Sequence, residues 1–200
     1  MNNCFAESSV GYIISGYGSS TSKELYQKVG EAYKNHGIDP VYVEIDWSSN
    51  DINDYLAQAE SYIESNGGDN RFFYGFSMGG LIALVLPQSP EVKHIIVSSV
   101  TPFFRENIDP LPWYSLQKIY YWWLFGDSKS VSLSKAVSDL NFNNSKVTLL
   151  VGSREKDIVL TNTKTIARLL DDSNMQIIDN AGHGISEPGH LDVIIKSISK

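Results

Sequence analysis

The sequence predicts an α/β fold in which six parallel strands form one doubly wound sheet, interrupted by a helical insert. Three observations carry this. Short apolar runs alternate with segments whose apolar residues recur at helical spacing, the pattern of a parallel sheet covered on both faces. Gly75, Ser77, Gly79 and Gly80 crowd into "GFSMGG", between an aromatic run and an aliphatic one. Glycine costs backbone entropy, so such a cluster implies a sharp bend or a close approach. Finally, 200 residues with 42% hydrophobic and 20% charged side chains suffice for one domain with a sizeable core.

Val10 to Ser15 (VGYIIS) reads as the first buried strand, and it stops at the loop GYGSS. Residues 22–36 place Leu25, Val29, Ala32 and Tyr33 at helical spacing, and Gly37 ends that helix. Residues 40–46 (PVYVEID) form the second strand. Residues 52–65 form a helix capped by Asp51 and followed by Gly67 and Gly68. RFFYGF (71–76) is the third strand, and MGGLIALVL (78–86) is a buried helix stopped near Pro87. VKHIIVSSV (92–100) and KVTLLVG (146–152) are the fourth and fifth strands. A helix over 161–171, the strand MQIID (175–179) and a helix over 188–199 close the chain.

Residues 101–145 break the alternation. Pro102, Pro110 and Pro112 open the segment, and nine aromatic residues lie between Phe103 and Phe125. A structureless loop of this length is uncommon, so one or two helices are expected over the sheet. Trp113, Leu116, Tyr120 and Trp123 fall on one helical stripe, while Tyr121, Trp122 and Phe125 face elsewhere. Two readings follow. Either the rings pack on the core, or residues of about 101–140 form a lid in which Trp113, Trp122 and Trp123 wall an apolar substrate pocket.

The formal charge of −7 leaves no broad basic footprint for nucleic acid. Cys4 is the one cysteine, so no intrachain disulfide is expected, which fits a reducing, cytoplasmic setting. The N-terminal stretch does not read as a signal peptide. The aromatic stretch WYSLQKIYYWWLFG is too short to span a bilayer.

The chemistry centres on Gly75-Phe76-Ser77-Met78-Gly79, which matches the G-x-S-x-G nucleophile elbow. A tight strand-to-helix turn exposes the serine hydroxyl at the top of the sheet, and the glycines leave room for neighbouring backbone. The plainer reading of Ser77 is a helix cap. Chain order favours the first, because the triad of such hydrolases runs Ser, acid, His. After the fifth strand come Glu155 and Asp157, in "VGSREKDIVL". After the sixth comes His183, among Ala181, Gly182 and Gly184. All follow carboxyl ends of strands, the edge that holds the site in open α/β sheets. Asp157, ahead of the apolar run IVL, is the favoured acid, and Glu155, nearer the strand end, is its rival. His36, His94 and His190 read as surface or packing residues. Backbone N–H groups of Met78 and of Tyr17, in the glycine-bearing loop SGYGSS, are the expected oxyanion donors. Histidine and cysteine are too few and dispersed for a metal cluster, and "SGYGSS" lacks the third glycine of a dinucleotide loop, so no cofactor is expected.

Taken together, "SGYG" (15–18), "GFSMGG" (75–80), "GSREKDIV" (152–159) and "AGHGISEP" (181–188) resemble the α/β-hydrolase superfamily over nearly the whole chain. The resemblance implies a minimal, single-domain member covering 1–200, without the antiparallel opening strands of larger members, and a strand order of 2-1-3-4-5-6. It departs from the common pattern in opening the oxyanion loop with Ser15-Gly16 rather than His-Gly, and in an acid turn longer than Gly-x-x-Asp. The implied activity is a serine hydrolase acting on a small ester or thioester with an apolar part. A ligand-binding protein on the same scaffold, and a carbon–carbon hydrolase or lyase using the same triad, are the alternatives.

Overall fold

The computed structural model describes residues 7–49, 51–86, 89–125, 131–187 and 189–199. Cys4 and the start of the chain, the expected helix stop at Pro87, and Pro188 at the end of the histidine motif lie outside the described residues.

The strands are β1 (Ser9–Ile14), β2 (Asp39–Val43), β3 (Asn70–Phe76), β4 (Val92–Ser98), β5 (Lys146–Gly152) and β6 (Ser173–Ile178). They pair in parallel as one six-stranded sheet in the order β2-β1-β3-β4-β5-β6. Sheet and strand order match the sequence expectation. β1, β4 and β5 bury nearly every residue, whereas the edge strands β2 and β6 are mostly half-buried. A strand without a wet face needs cover on both sides, and the helices supply it.

The helices are α1 (Glu24–Asn35), α2 (Ile52–Asn66), α3 (Met78–Val85), α4 (Arg105–Ile108), α5 (Leu116–Phe125), α6 (Leu133–Phe142), α7 (Asp157–Leu169) and α8 (His190–Ile198). α1 and α8 cover one face over a core that includes Ile13, Tyr33, Tyr74, Ile96, Leu150 and Ile194. α2, α3 and α7 cover the other, where Tyr12, Ile52, Leu81, Val97, Leu149 and Ile166 meet. Among the described residues no helix is long and apolar enough to cross a membrane.

Two expectations change here. The helix expected over 161–171 begins at Asp157, four residues earlier, because Ile158 and Val159 form its first turn rather than a preceding loop. Among the described residues the insert holds three helices rather than one or two, and this segment adds Phe104, Ile108, Tyr121, Leu133 and Leu140 to the larger core.

The aromatic stripe of α5 exists, but it faces water. Tyr121 is 1% exposed, while Trp113 is 81%, Trp123 59% and Trp122 39% exposed. Burying Tyr121 turns the opposite side of α5 outward. Tyr120 then stacks on Trp123 at 5.9 Å, and Trp113 meets Tyr114 edge-on at 5.8 Å. Periodicity identified a stripe but not which stripe the core takes.

α4 and α6 are joined by one side chain. The Glu106 carboxylate accepts from the Ser132 hydroxyl at 2.6 Å and from the N–H groups of Leu133 at 2.8 Å and Ser134 at 3.0 Å, capping α6 across 26 to 28 residues. Burial pushes this carboxyl up, but the Ser132 and backbone hydrogen bonds outweigh it and carry it down to about 2. Its contribution is therefore complete above the ordinary glutamate value of about 4.3 and is lost as pH falls through about 2. Glu106→Gln is expected to cost about 1 kcal/mol at pH 7, after allowing for screening at an exposed site, and much less near pH 2. Denaturant unfolding of both proteins at the two pH values checks this.

A Cβ on Gly79 would overlap the carbonyls of Ile14 and Ser15, whereas one on Gly182 would meet only the Glu187 carboxylate at 3.7 Å. Gly79→Ala is expected to destabilise by about 3 kcal/mol or more, and Gly182→Ala by less than about 1 kcal/mol, in the same unfolding assay.

Candidate active site

Ser77 stands where β3 ends and α3 begins, with φ 52° and ψ −110°. For a residue with a Cβ this conformation costs on the order of 1–3 kcal/mol and persists only where its surroundings dictate it. They do so here. The Ser77 N–H donates to the Ser98 carbonyl at 2.9 Å, and the Leu81 N–H donates to the Ser77 carbonyl at 3.1 Å. A Cβ on Gly75 would lie 2.7 Å from the Gly80 Cα, so the turn closes only on glycine.

His183 reaches this serine from the loop after β6. Ser77 Oγ lies 3.0 Å from its Nε2. Its Nδ1 lies 2.9 Å from Oε1 and 3.1 Å from Oε2 of Glu155, in the turn after β5. The Glu155 side chain is 2% exposed and that of His183 is 50% exposed, so a buried carboxylate holds an imidazole whose other edge is accessible. Burial pushes the Glu155 carboxyl up, but the hydrogen bond from His183, with the Ser99 hydroxyl and histidine charge nearby, holds it below the usual glutamate value. An ionised Glu155 keeps the proton on Nδ1 and leaves the Nε2 lone pair facing the Ser77 hydroxyl.

The favoured carboxylate of the sequence reading is therefore corrected. Asp157 is the first residue of α7 and is exposed, and it is Glu155 that pairs with His183 Nδ1. Position 155 precedes the helix and lies beside the histidine loop, which two backbone bonds tie to the acid turn: Ser153 N–H to the Ile178 carbonyl at 2.9 Å, and Arg154 N–H to the Ala181 carbonyl at 2.8 Å. The signal was already present in the position of Glu155, nearer the strand end.

His183 is steadied by its neighbours. The Phe76 ring lies 5.5 Å from the imidazole. The Gly184 carbonyl accepts from the Glu187 N–H at 2.9 Å and from Nδ1 of the fully buried His190 at 2.7 Å. His94 is buried against the Thr148 hydroxyl at 2.8 Å, and His36 Nδ1 meets its own helix at the Ala32 carbonyl, also at 2.8 Å. These three histidines stand apart from Ser77, as expected of packing and surface residues.

The loop after β1 flanks the serine. The Gly16 N–H donates to the Tyr26 hydroxyl at 3.2 Å, the Ser15 hydroxyl donates to the Ser19 carbonyl at 2.7 Å, and Trp47 Nε1–H donates to that same carbonyl at 3.1 Å. Tyr17 leans edge-on against Trp47 at 5.5 Å. Met78 is buried as the first residue of α3, a position whose N–H has no intrahelical acceptor. Tyr17 and Ser77 both line a space of about 320 Å³, closed by Tyr26 and Phe76.

A second space of about 550 Å³ opens from Ser77 and His183 beneath the insert. Pro102, Phe103, Ile108, Gln117, Ile158 and Val159 line it. Trp113, Trp122 and Trp123, expected as the pocket wall, do not: Trp122 and Trp123 lie on the outward side of α5, and Trp113, which precedes α5, is exposed too. Sequence reasoning missed Phe103, although its place just after the fourth strand, at the carboxyl edge of the sheet, was a usable signal.

No family model and no curated protein matches the chain. Solved structures do match. Est1E from Butyrivibrio proteoclasticus superposes with a TM-score of 0.75 at 13% identity, over 96% of this chain and 86% of that one. Dienelactone hydrolase from Anabaena variabilis gives 0.67 at 16% identity, over 98% and 85%. The mouse alpha/beta hydrolase domain-containing protein 10 gives 0.68 at 16% identity, over 96% and 89%. The chain has the α/β-hydrolase fold.

The hydrogen bond from Nδ1 to Glu155 sets the tautomer of His183. Nitrogen NMR of the labelled protein at neutral pH is expected to show the proton on Nδ1. Glu155→Gln is expected to disturb those resonances, and Asp157→Asn to leave them in place.

Proposed function

We propose that this protein is a serine hydrolase that cleaves a carboxylic ester or thioester through an acyl-serine intermediate. The observation that carries the reading is the continuous relay from the Ser77 hydroxyl through His183 to the buried Glu155, with contacts of 3.0 and 2.9 Å. Proximity of a serine, a base and an orienting carboxylate is the arrangement that activates a hydroxyl otherwise too weak to attack an acyl carbon.

The chemistry follows from these atoms. His183 Nε2 takes the proton as Ser77 Oγ bonds to the carbonyl carbon. Glu155 stabilises the imidazolium that forms and stays ionised itself. The N–H groups of Met78 and Tyr17 are the donors assigned to the oxyanion. The tetrahedral intermediate collapses, its bond to the leaving oxygen or sulfur breaks, and the departing alcohol or thiol takes the proton from Nε2. Water, deprotonated by the same nitrogen, attacks the acyl carbon. The acid leaves, and the serine regains its proton.

The apolar walls at Phe103, Ile108 and Ile158 support a substrate with an apolar arm. Dienelactone hydrolase, among the structures similar in fold, is named for an ester substrate, which agrees with this reaction class. The lone cysteine supports a reducing, cytoplasmic setting.

A fluorophosphonate probe is expected to label Ser77 alone, located by mass spectrometry of the digested protein. Ser77→Ala is expected to keep the fold and to lose about 10⁴-fold or more of its turnover of 4-nitrophenyl esters. Activity in that variant above a few per cent of the native value would remove Ser77 from the reaction.

A further inference from the structure

We infer that the ester accepted by this site carries a carboxylate on an otherwise apolar acyl arm. The word ester rests on the proposed hydrolase reading; the preference for an anionic ligand rests on the two cavities that meet at Ser77 and His183.

The arm that remains bound through both half-reactions is the acyl arm. The larger and more enclosed space, about 550 Å³ beneath the insert, suits it, while the smaller and more open one lets the alcohol or thiol leave. The walls of the larger space are mixed in character. Phe103, Ile108 and Ile158 are apolar, whereas Arg154 and Lys156 form a cationic rim. The smaller space has Lys23 at its edge. Among the described residues Glu155 is the single carboxylate that lines either space, and it is committed to His183.

This balance runs against the composition. The chain has 23 acidic and 16 basic residues, yet among the described residues three cations and one histidine-paired carboxylate border the two spaces. Asp157, next in sequence to Lys156, does not line them. A cleft with charges of one sign and low-dielectric walls concentrates ligands of the opposite sign. An alkyl chain ending among Arg154 and Lys156 would strip water from cations and return nothing, whereas a carboxylate replaces that water with a charge-assisted contact. Arg154 is partly fixed for such a contact, since its Nη2 donates to Asn180 Oδ1 at 3.0 Å.

The test uses binding, so that it does not depend on turnover. Ser77→Ala protein is titrated calorimetrically with the monoamide of hexanedioic acid and with the methyl ester of that monoamide. The carboxylate is expected to bind at least about tenfold more tightly at low salt, and the ratio is expected to fall severalfold in 0.5 M sodium chloride, since exposed charges are screened. Adding Arg154→Gln and Lys156→Gln is expected to bring the ratio close to one. Both positions are exposed, and the melting temperature of each variant verifies the fold. Equal binding of the two ligands, no measurable binding of the carboxylate, or a preference that survives the double substitution would overturn the inference. Failure of the hydrolase reading shows separately, as native protein that neither takes the fluorophosphonate nor cleaves the mono-4-nitrophenyl ester of the same diacid.

Discussion

The structure depends on a contact between backbones. α3 approaches β1 and β3 so closely that the Gly79 Cα faces the carbonyls of Ile14 and Ser15, and the Gly75 Cα faces the backbone of Gly79 and Gly80. No side chain separates these elements. That closeness forces the strand-to-helix turn into a single residue, Ser77, with its positive φ of 52°. The strain at Ser77 and the missing Cβ atoms at 75 and 79 are one constraint seen from two sides. The same approach sets Met78, at the start of α3, beside the loop that carries Tyr17. An elbow serine and a pair of candidate oxyanion donors thus arise from a packing requirement before any chemistry is invoked.

Around that contact, the parallel sheet does the gathering. Every strand runs the same way, so every loop that follows a strand opens on one edge. Ser77, Glu155 and His183 come from loops 78 and 28 residues apart, yet they meet within hydrogen-bonding distance because β3, β5 and β6 end there. Side chains outside the relay hold the loops still. Tyr26 accepts from the Gly16 N–H, His190 donates to the Gly184 carbonyl, and Ser153 and Arg154 tie the acid turn to the histidine loop. Each of these bonds satisfies backbone that an irregular loop leaves unpaired near the core.

The sheet was legible in the sequence because a buried parallel strand needs a continuous apolar run, and such runs are hard to mistake. Ser77 and His183 were legible for a different reason: their neighbours are small, and the glycines around them mark the close approach. The carboxylate was harder. Asp157 and Glu155 differ by two residues, and the choice depends on where α7 starts. Ile158 and Val159 suit a first helical turn as well as a packed loop, so the boundary was decided by tertiary packing rather than by local propensity. The aromatic insert was harder still. A stripe at helical spacing implies two sides, and which side meets the core depended on Tyr121 fitting beneath α5, which no pattern in the chain records.

The shift from Asp157 to Glu155 also has a physical logic. An aspartate as the first residue of α7 faces the positive end of a helix and stabilises it where it stands. A carboxylate serving His183 has the opposite need. It must be buried, so that its charge is felt by the imidazole rather than by water, and it must still reach donors that keep it ionised. Position 155 meets both conditions: its side chain is almost wholly covered, and the hydrogen bond from His183 offsets the effect of burial. The extra methylene of glutamate lengthens the reach from the turn after β5 to the ring. Two acidic residues, one turn apart in role although two apart in sequence, are thus divided between holding a helix end and holding a histidine. Burial is the property that separates them, and it follows from where the helix begins.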